Sequence, residues 1–226
     1  MRTLHRYYID GISIMVYDQT GSQSADWIAS ELQADHYGLR NIRFAEGDVV
    51  VDVGAHVGLF SIYLAKRSPL LRIVAFEPFP TNFRNCSENL ELNGISNVTL
   101  SPSAISSDCR RLSMVSDPGN SGGASAVVTT FGSNGTESEI PSMTLDEVFS
   151  VHEIDKCKLL KIDCEGMEYE IIPSVGAFDR VEYMSGEFHA SPRFQAQGWS
   201  PQRLHDYCRS LVAEDKLKIC FNVIPE

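Results

Sequence analysis

From Val49 onward, short runs of β-branched residues alternate with longer stretches of helical periodicity, and this rhythm limits the architectures open to the chain. "DVVVDV" reads as a fully buried strand, "LFSIYLAKR" as a helix and "RIVAFE" as a strand. "PTNFRNCSENLELNG" reads as a helix closed by Asn93-Gly94, and "NVTLSPSAI" as a third strand with its exit. Later, "TLDEVFSVH", "EGMEYEIIPSV" and "SPQRLHDYCRSLVAE" are predicted helices, and "KLLKID", "VEYMSGEFHA" and "LKICFNVI" predicted strands. Strands that are apolar throughout, separated by helices, need both sheet faces covered and right-handed crossovers. The expected fold is α/β, a doubly wound, mostly parallel sheet of Rossmann-like form.

Two segments stand outside the rhythm. Before Val49, "YYIDGISIMVYD" suggests a two-stranded lid and "SADWIASELQADHYG" a helix, a small N-terminal extension over 1–48. Between Cys109 and Met143, Ser, Gly, Asn and Thr dominate. "RRLSMVS" and "AVVTT" keep strand composition there, and "DPGNSGGAS" and "FGSNGTES" read as loops, so a β-hairpin-like insertion is expected. The 226 residues, 43% hydrophobic with no linker-like break, suffice for one core. A single domain over 1–226 is expected, with 49–226 as cofactor-binding and catalytic core.

The net charge of −11 opposes docking on nucleic acid or an anionic membrane, which relies on clustered Lys and Arg. No apolar run is long enough to span a bilayer, and the N-terminus lacks the pattern of a cleaved leader, so a soluble, cytoplasmic chain is expected. Six scattered cysteines without a C-x-x-C pair point to reduced thiols, not to zinc or a disulfide framework.

The first strand runs into "VGAHVG". In a doubly wound sheet, ligands sit beyond the carboxyl ends of the strands, and the first strand-to-helix turn is the usual cradle. Gly54 and Gly58 would let backbone approach a ligand and the next helix pack closely; a tight connection with no ligand is the alternative. Glu77 closes the second strand 77 − 58 = 19 residues past Gly58, placed to accept hydrogen bonds from a ribose diol. The turn lacks the middle glycine that a dinucleotide pyrophosphate requires, so a nucleoside without phosphate fits better than NAD.

"VVVDVGAHVGLFSIYLAK", "VAFEPFPTNFRNCSENLELNG", "MTLDEVF" and "LLKIDCEGMEYEII", in that order, resemble the FkbM family of S-adenosylmethionine-dependent methyltransferases within the class I methyltransferase fold. The resemblance covers most of Val49 to Pro173. It implies that Asp52, Gly54, Ala55 and Gly58 surround the methionine and ribose parts of S-adenosyl-L-methionine, and that Glu77 holds the ribose hydroxyls. Pro78 and Asn82 would support that corner, and Ser103 and Ala104 would flank the adenine. His56 stands where the family pattern commonly has Asn, and can still donate or accept.

Methyl transfer to a hydroxyl needs alignment and removal of a proton. Lys161, Asp163 and Glu165 alternate at the end of one strand, Glu187 and His189 at the end of another. Glu165 and Glu168 could instead simply favour the positive end of the following helix. Lys161, Asp163, Glu187 and His189 are the catalytic candidates, with His189 the expected base because a free imidazole titrates at about 6.5. His36, Tyr37 and the "NSGGAS" loop are placed to close an acceptor pocket. Asp163, Glu165, Glu187 and His189 could also make an oxygen-rich site for Mg²⁺ or Mn²⁺, but carboxylates cluster at sheet ends without metal, so none is expected. The expected activity is O-methylation of a small-molecule or glycan hydroxyl. A catalytically silent nucleoside-binding module and an NAD(P)-dependent oxidoreductase are the alternatives.

Overall fold

In the computed structural model, residues 1–117, 120–127, 138–190 and 192–222 are described. The chain opens with an antiparallel hairpin, β1 (Arg2–Ile9) and β2 (Ile12–Gln19), turned by Asp10 and Gly11, both at positive φ. The β2 edge would leave backbone groups unpaired, and two asparagines satisfy them. Asn89 and Asn93 each exchange a pair of hydrogen bonds with the backbone, at Tyr17 and Met15. Helix α1 (Ser24–Gln33) follows.

The core alternates as its sequence implies: β3 (Val49–Val53), α2 (Leu59–Arg67), β4 (Arg72–Phe76), α3 (Pro80–Leu92) and β5 (Val98–Ser101). The predicted third strand stops early, because Pro102 has no N–H for the ladder. The chain then leaves the sheet, and β6 (Ala104–Ile105) pairs elsewhere.

The described residues of the insertion hold three strands, one more than the expected hairpin. Strands β7 (Leu112–Asp117), β8 (Asn120–Val127) and β9 (Ser138–Ile140) form an antiparallel sheet in the order β8-β7-β9. "NSGGAS" is therefore strand, not loop; its small residues hide a ladder that only the partner β7 reveals. Residues 128–130 of "AVVTT" and all of "FGSNGTES" before Ser138 lie outside the described residues.

The chain returns through β10 (Ser142–Met143), which pairs with β6, and α4 (Leu145–Val151), started by a reciprocal Thr144–Glu147 capping box. Then come β11 (Cys157–Ile162), α5 (Glu168–Ser174), β12 (Val181–His189), the short α6 (Pro192–Gln195), α7 (Pro201–Arg209) and β13 (Leu217–Asn222). Helix α5 begins three residues later than its sequence suggests. Glu165 and Gly166 adopt positive φ, +55° and +97°, and turn the chain before the helix.

The main sheet has the order β13-β12-β11-β3-β4-β5, and every pairing in it is parallel. Strand order reverses between β3 and β11, where a crevice opens at the carboxyl ends. Alternate strand residues feed two cores. Val49, Val51, Val53, Val74 and Phe76 pack with α4, α5 and α7, whereas Val50, Ile73 and Ala75 pack with α1, α2 and α3. No helix among the described residues is long and apolar enough to cross a membrane.

Candidate active site

At the β3/β11 reversal a cavity of about 530 Å³ opens. Its two ends differ in chemistry, one built on the glycine turn and the other on carboxylates from β11 and β12.

The turn is tight because Gly54 and Ala55 both donate to the Phe76 carbonyl, at 3.0 and 2.9 Å. Gly54, at φ +84°, packs so closely on β11 that an added Cβ would lie 1.8 Å from the Asp163 carbonyl oxygen. Gly58 faces away from the cavity, and a Cβ there would meet Cys86 Sγ at 2.8 Å.

Glu77 is held from both sides: its Oε2 accepts from the His56 N–H at 2.7 Å and its Oε1 from the Phe79 N–H at 2.9 Å. It is 5% exposed and borders the cavity. Burial raises its pKa to about 7, against the two backbone N–H groups, which favour the carboxylate.

His56 sits at φ +52°, and burial lowers its pKa to about 4. Its Nε2 lies 2.8 Å from Ser121 Oγ, which donates to Asp18, while Asn82 donates to the Ser121 carbonyl. The neutral ring thus donates through Nε2, and its buried Nδ1 has no partner among the described residues.

Of the ten residues expected at the cofactor, Gly54, His56, Glu77, Pro78, Asn82 and Ala104 line the cavity. Asp52, Ala55, Gly58 and Ser103 do not. Asp52 is fully buried beneath the turn, where it accepts from Ser61 Oγ at 2.7 Å and pairs with Lys161 at 3.2 Å.

Lys161 departs from its expected catalytic role for the same reason. It is Asp52's direct neighbour across the β3–β11 ladder and is 3% exposed. Its Nζ donates to the Gly54 carbonyl at 2.7 Å and lies 3.6 Å from Asp163. Burial disfavours its charge, but the Asp52 and Asp163 carboxylates outweigh that and hold its pKa above the ordinary value. It is a positioning residue under the turn.

Asp163, Glu187 and His189 do meet, joined by Glu165. His189 Nε2 lies 3.6 Å from Glu165 and from Glu187 and 3.9 Å from Asp163, while Glu168 Oε1 accepts a hydrogen bond from Nδ1–H at 3.2 Å. Burial opposes charge on the ring, yet the Glu168 hydrogen bond and the surrounding carboxylates drive its pKa to about 10. These carboxylates favour the proton on the ring, so His189 is not poised as the neutral base expected of it. Burial raises Glu165 and Glu187 to about 7.

Glu168 and Glu165 are more than helix-end charges: Glu168 orients His189, and the positive-φ turn leaves Glu165 at the cavity. His36 is exposed and Tyr37 buried, and neither lines the cavity. Tyr37 instead donates to Glu31 at 2.7 Å. Glu31 does line it, as do Trp27 and Ile28 of α1. These three were missed, although Trp27 and Glu31 stand at i and i+4 on one helical face beside an apolar residue. From "NSGGAS", Gly122 lines the cavity and Ser121 braces His56.

This arrangement sits within a known sequence pattern. The Methyltransferase FkbM domain matches residues 52–214. The chain is 28% identical to the methyltransferase sdnD of Sordaria araneosa over 67% of its own length and 69% of that protein. It is 26% identical to the 31-O-demethyl-FK506 methyltransferase FkbM of Streptomyces tacrolimicus, over 73% and 75% of the two chains. It is 28% identical to the hexuronic acid methyltransferase AglP of Haloferax volcanii, over 64% and 57%. The domain match takes in the glycine turn, the carboxylate after β4 and the acidic strand ends together, and the chain belongs to the FkbM family of methyltransferases.

Proposed function

We propose that this protein transfers a methyl group from S-adenosylmethionine to a hydroxyl of a small molecule or sugar. The observation that carries the reading is Glu77, a buried carboxylate clamped by two backbone N–H groups at the strand-order reversal, beside a turn without the pyrophosphate-binding glycine pattern. The cavity fits a nucleoside ligand. Its volume lies in the range of small-molecule sites, and Glu77 and His56 both border it.

Glu77 would take the ribose hydroxyls, with Pro78 and Asn82 supporting that corner and Ala104 beside the base. When bound, S-adenosylmethionine supplies a methyl already activated on a cationic sulfur. The chain's own tasks are alignment, proton removal and exclusion of water. Asp163 and Glu187 face the cavity and would orient the acceptor hydroxyl. Glu165, with a side chain 34% exposed, is the carboxylate freest to receive the hydroxyl proton as the new C–O bond forms. His189, tied to Glu168 through Nδ1, lies among these carboxylates. Relatives named for 31-O-demethyl-FK506 and for a hexuronic acid support hydroxylated acceptors as the class to test.

The test is transfer of labelled methyl to a panel of hexuronic acids, neutral sugars and hydroxylated macrolides. Wild-type enzyme should label at least one, and Glu165→Gln should lower kcat by about 10²- to 10⁴-fold with S-adenosylhomocysteine affinity within twofold. Cofactor binding without transfer across the panel would favour the silent nucleoside-binding module.

A further inference from the structure

We infer that Asp163, Glu187 and His189 form a binding site for one divalent cation of the Mg²⁺ or Mn²⁺ class at the acceptor end of the cavity. The inference rests on the proposed function for its purpose, holding acceptor oxygens, and on geometry for its existence.

The β11 and β12 ends bring one ligand atom from each of the three residues within 4.8 Å of the others. The distances from His189 Nε2 to carboxylate oxygen, 3.6 to 3.9 Å, are too long for N–H···O hydrogen bonds. They match atoms arranged around a shared centre. Oxygens and nitrogens bound at about 2.1 to 2.4 Å to one ion stand about 3 to 4.8 Å apart, from adjacent to opposite positions.

A second observation comes from the ring itself. His189 is 5% exposed, and its Nδ1 is tied to Glu168, a fully buried carboxylate that also accepts the Cys164 N–H at 2.8 Å. A carboxylate fixing one ring nitrogen so that the other points at a ligand-rich centre is the arrangement in which histidines bind metals, the bound cation taking the place of the Nε2 proton that the same carboxylates hold without it. Among the described residues Nε2 makes no hydrogen bond, and it faces the three carboxylates of Asp163, Glu165 and Glu187. Asp163 divides its oxygens, Oδ2 toward Lys161 and Oδ1 toward His189, so the Lys161–Asp52 pair steadies this ligand without occupying the centre. Mostly oxygen donors with one imidazole suit Mg²⁺ or Mn²⁺ and offer no thiolate for a softer ion. The open side faces the cavity, where hydroxyl oxygens of the acceptor would complete the shell.

The experiment titrates Mn²⁺ into the full-length chain, with free ion read by electron paramagnetic resonance. One saturable Mn²⁺ per chain is expected, weakened at least tenfold by Glu187→Gln and by His189→Gln and unchanged by Glu91→Gln on the exposed side of α3. Pulsed spectra of the wild-type complex should show coupling to one imidazole nitrogen, a result that does not depend on any variant folding. Absence of saturable binding, or binding without nitrogen coupling, overturns the site. Calorimetry of S-adenosylhomocysteine on the same samples reads the Glu77 cradle separately. Its failure would count against the proposed function and leave the cation result standing.

Discussion

Gly54→Ala is expected to lose at least about 4 kcal/mol of stability in urea denaturation, enough to leave much of the chain unfolded. A methyl group there would lie 1.8 Å from the Asp163 carbonyl oxygen, a backbone atom at the end of β11 that cannot swing aside. The residue would also have to hold φ +84°. The glycine is thus required first by strand packing and only then by the ligand. Gly58→Ala makes the comparison. Its Cβ meets a side-chain sulfur, Cys86 Sγ, at 2.8 Å. Its cost should fall nearer the roughly 1 to 3 kcal/mol of left-handed strain, and should shrink in a Cys86→Ala background. Equal costs for the two alanines would contradict this division of roles.

Lys161→Met should cost about 3 to 5 kcal/mol, because it strands a fully buried Asp52 without its counter-charge. The loss belongs to the unpaired charge more than to the ion pair itself. Adding Asp52→Asn should therefore recover a large part, since Ser61 can still donate to the amide oxygen. No recovery in the double variant would show that Lys161 stabilises chiefly through the Gly54 carbonyl. This buried pair also explains why Lys161, near the end of β11, and Asp163, just past it, do different work. Lys161 is spent inside the fold, while Asp163 lies one step farther along, at the cavity.

What the chain discloses before folding follows from where the physical signal lies. Strands β3 and β4 and helices α2 and α3 were legible because a doubly covered sheet demands apolar runs, and Asn93-Gly94 stops a helix by local chemistry alone. The "NSGGAS" part of β8 was not, because Gly and Ser carry no strand preference and its pairing depends on β7; Ala126 and Val127 at its end fall in the predicted strand "AVVTT". Glu77 could be placed from its spacing to the glycine turn. The state of His189 could not: the groups that charge it come from Asp163, Glu165 and Glu168, more than twenty residues away in sequence, and from Glu187 beside it. An imidazole read alone titrates near neutrality, and one ringed by carboxylates does not. Glu31 and Trp27 lay hidden in a helix that reads as part of an extension, and the packing of α1 on α2, β1 and β8 brings them to the cavity.

The central claim is that Glu77, in its ionised form, holds the ribose of the methyl donor, and calorimetric titration of S-adenosylhomocysteine across pH 5.5 to 8.5 tests it most directly. Burial lifts the carboxyl to about 7 in the free protein, above its ordinary 4.5. The folded state therefore binds the proton more tightly than the unfolded chain. The stability this provides is complete below about 4.5 and is lost as pH rises through about 7. Ligand affinity runs the opposite way. It should strengthen roughly tenfold per pH unit up to about 7 and then level off, as the carboxylate able to accept both hydroxyls becomes populated. Glu77→Gln should abolish that slope and weaken binding at pH 8 by about 10- to 150-fold, the worth of hydrogen bonds to a charged group. A Glu77→Gln protein that binds within twofold of wild type with an unchanged pH profile would contradict the account.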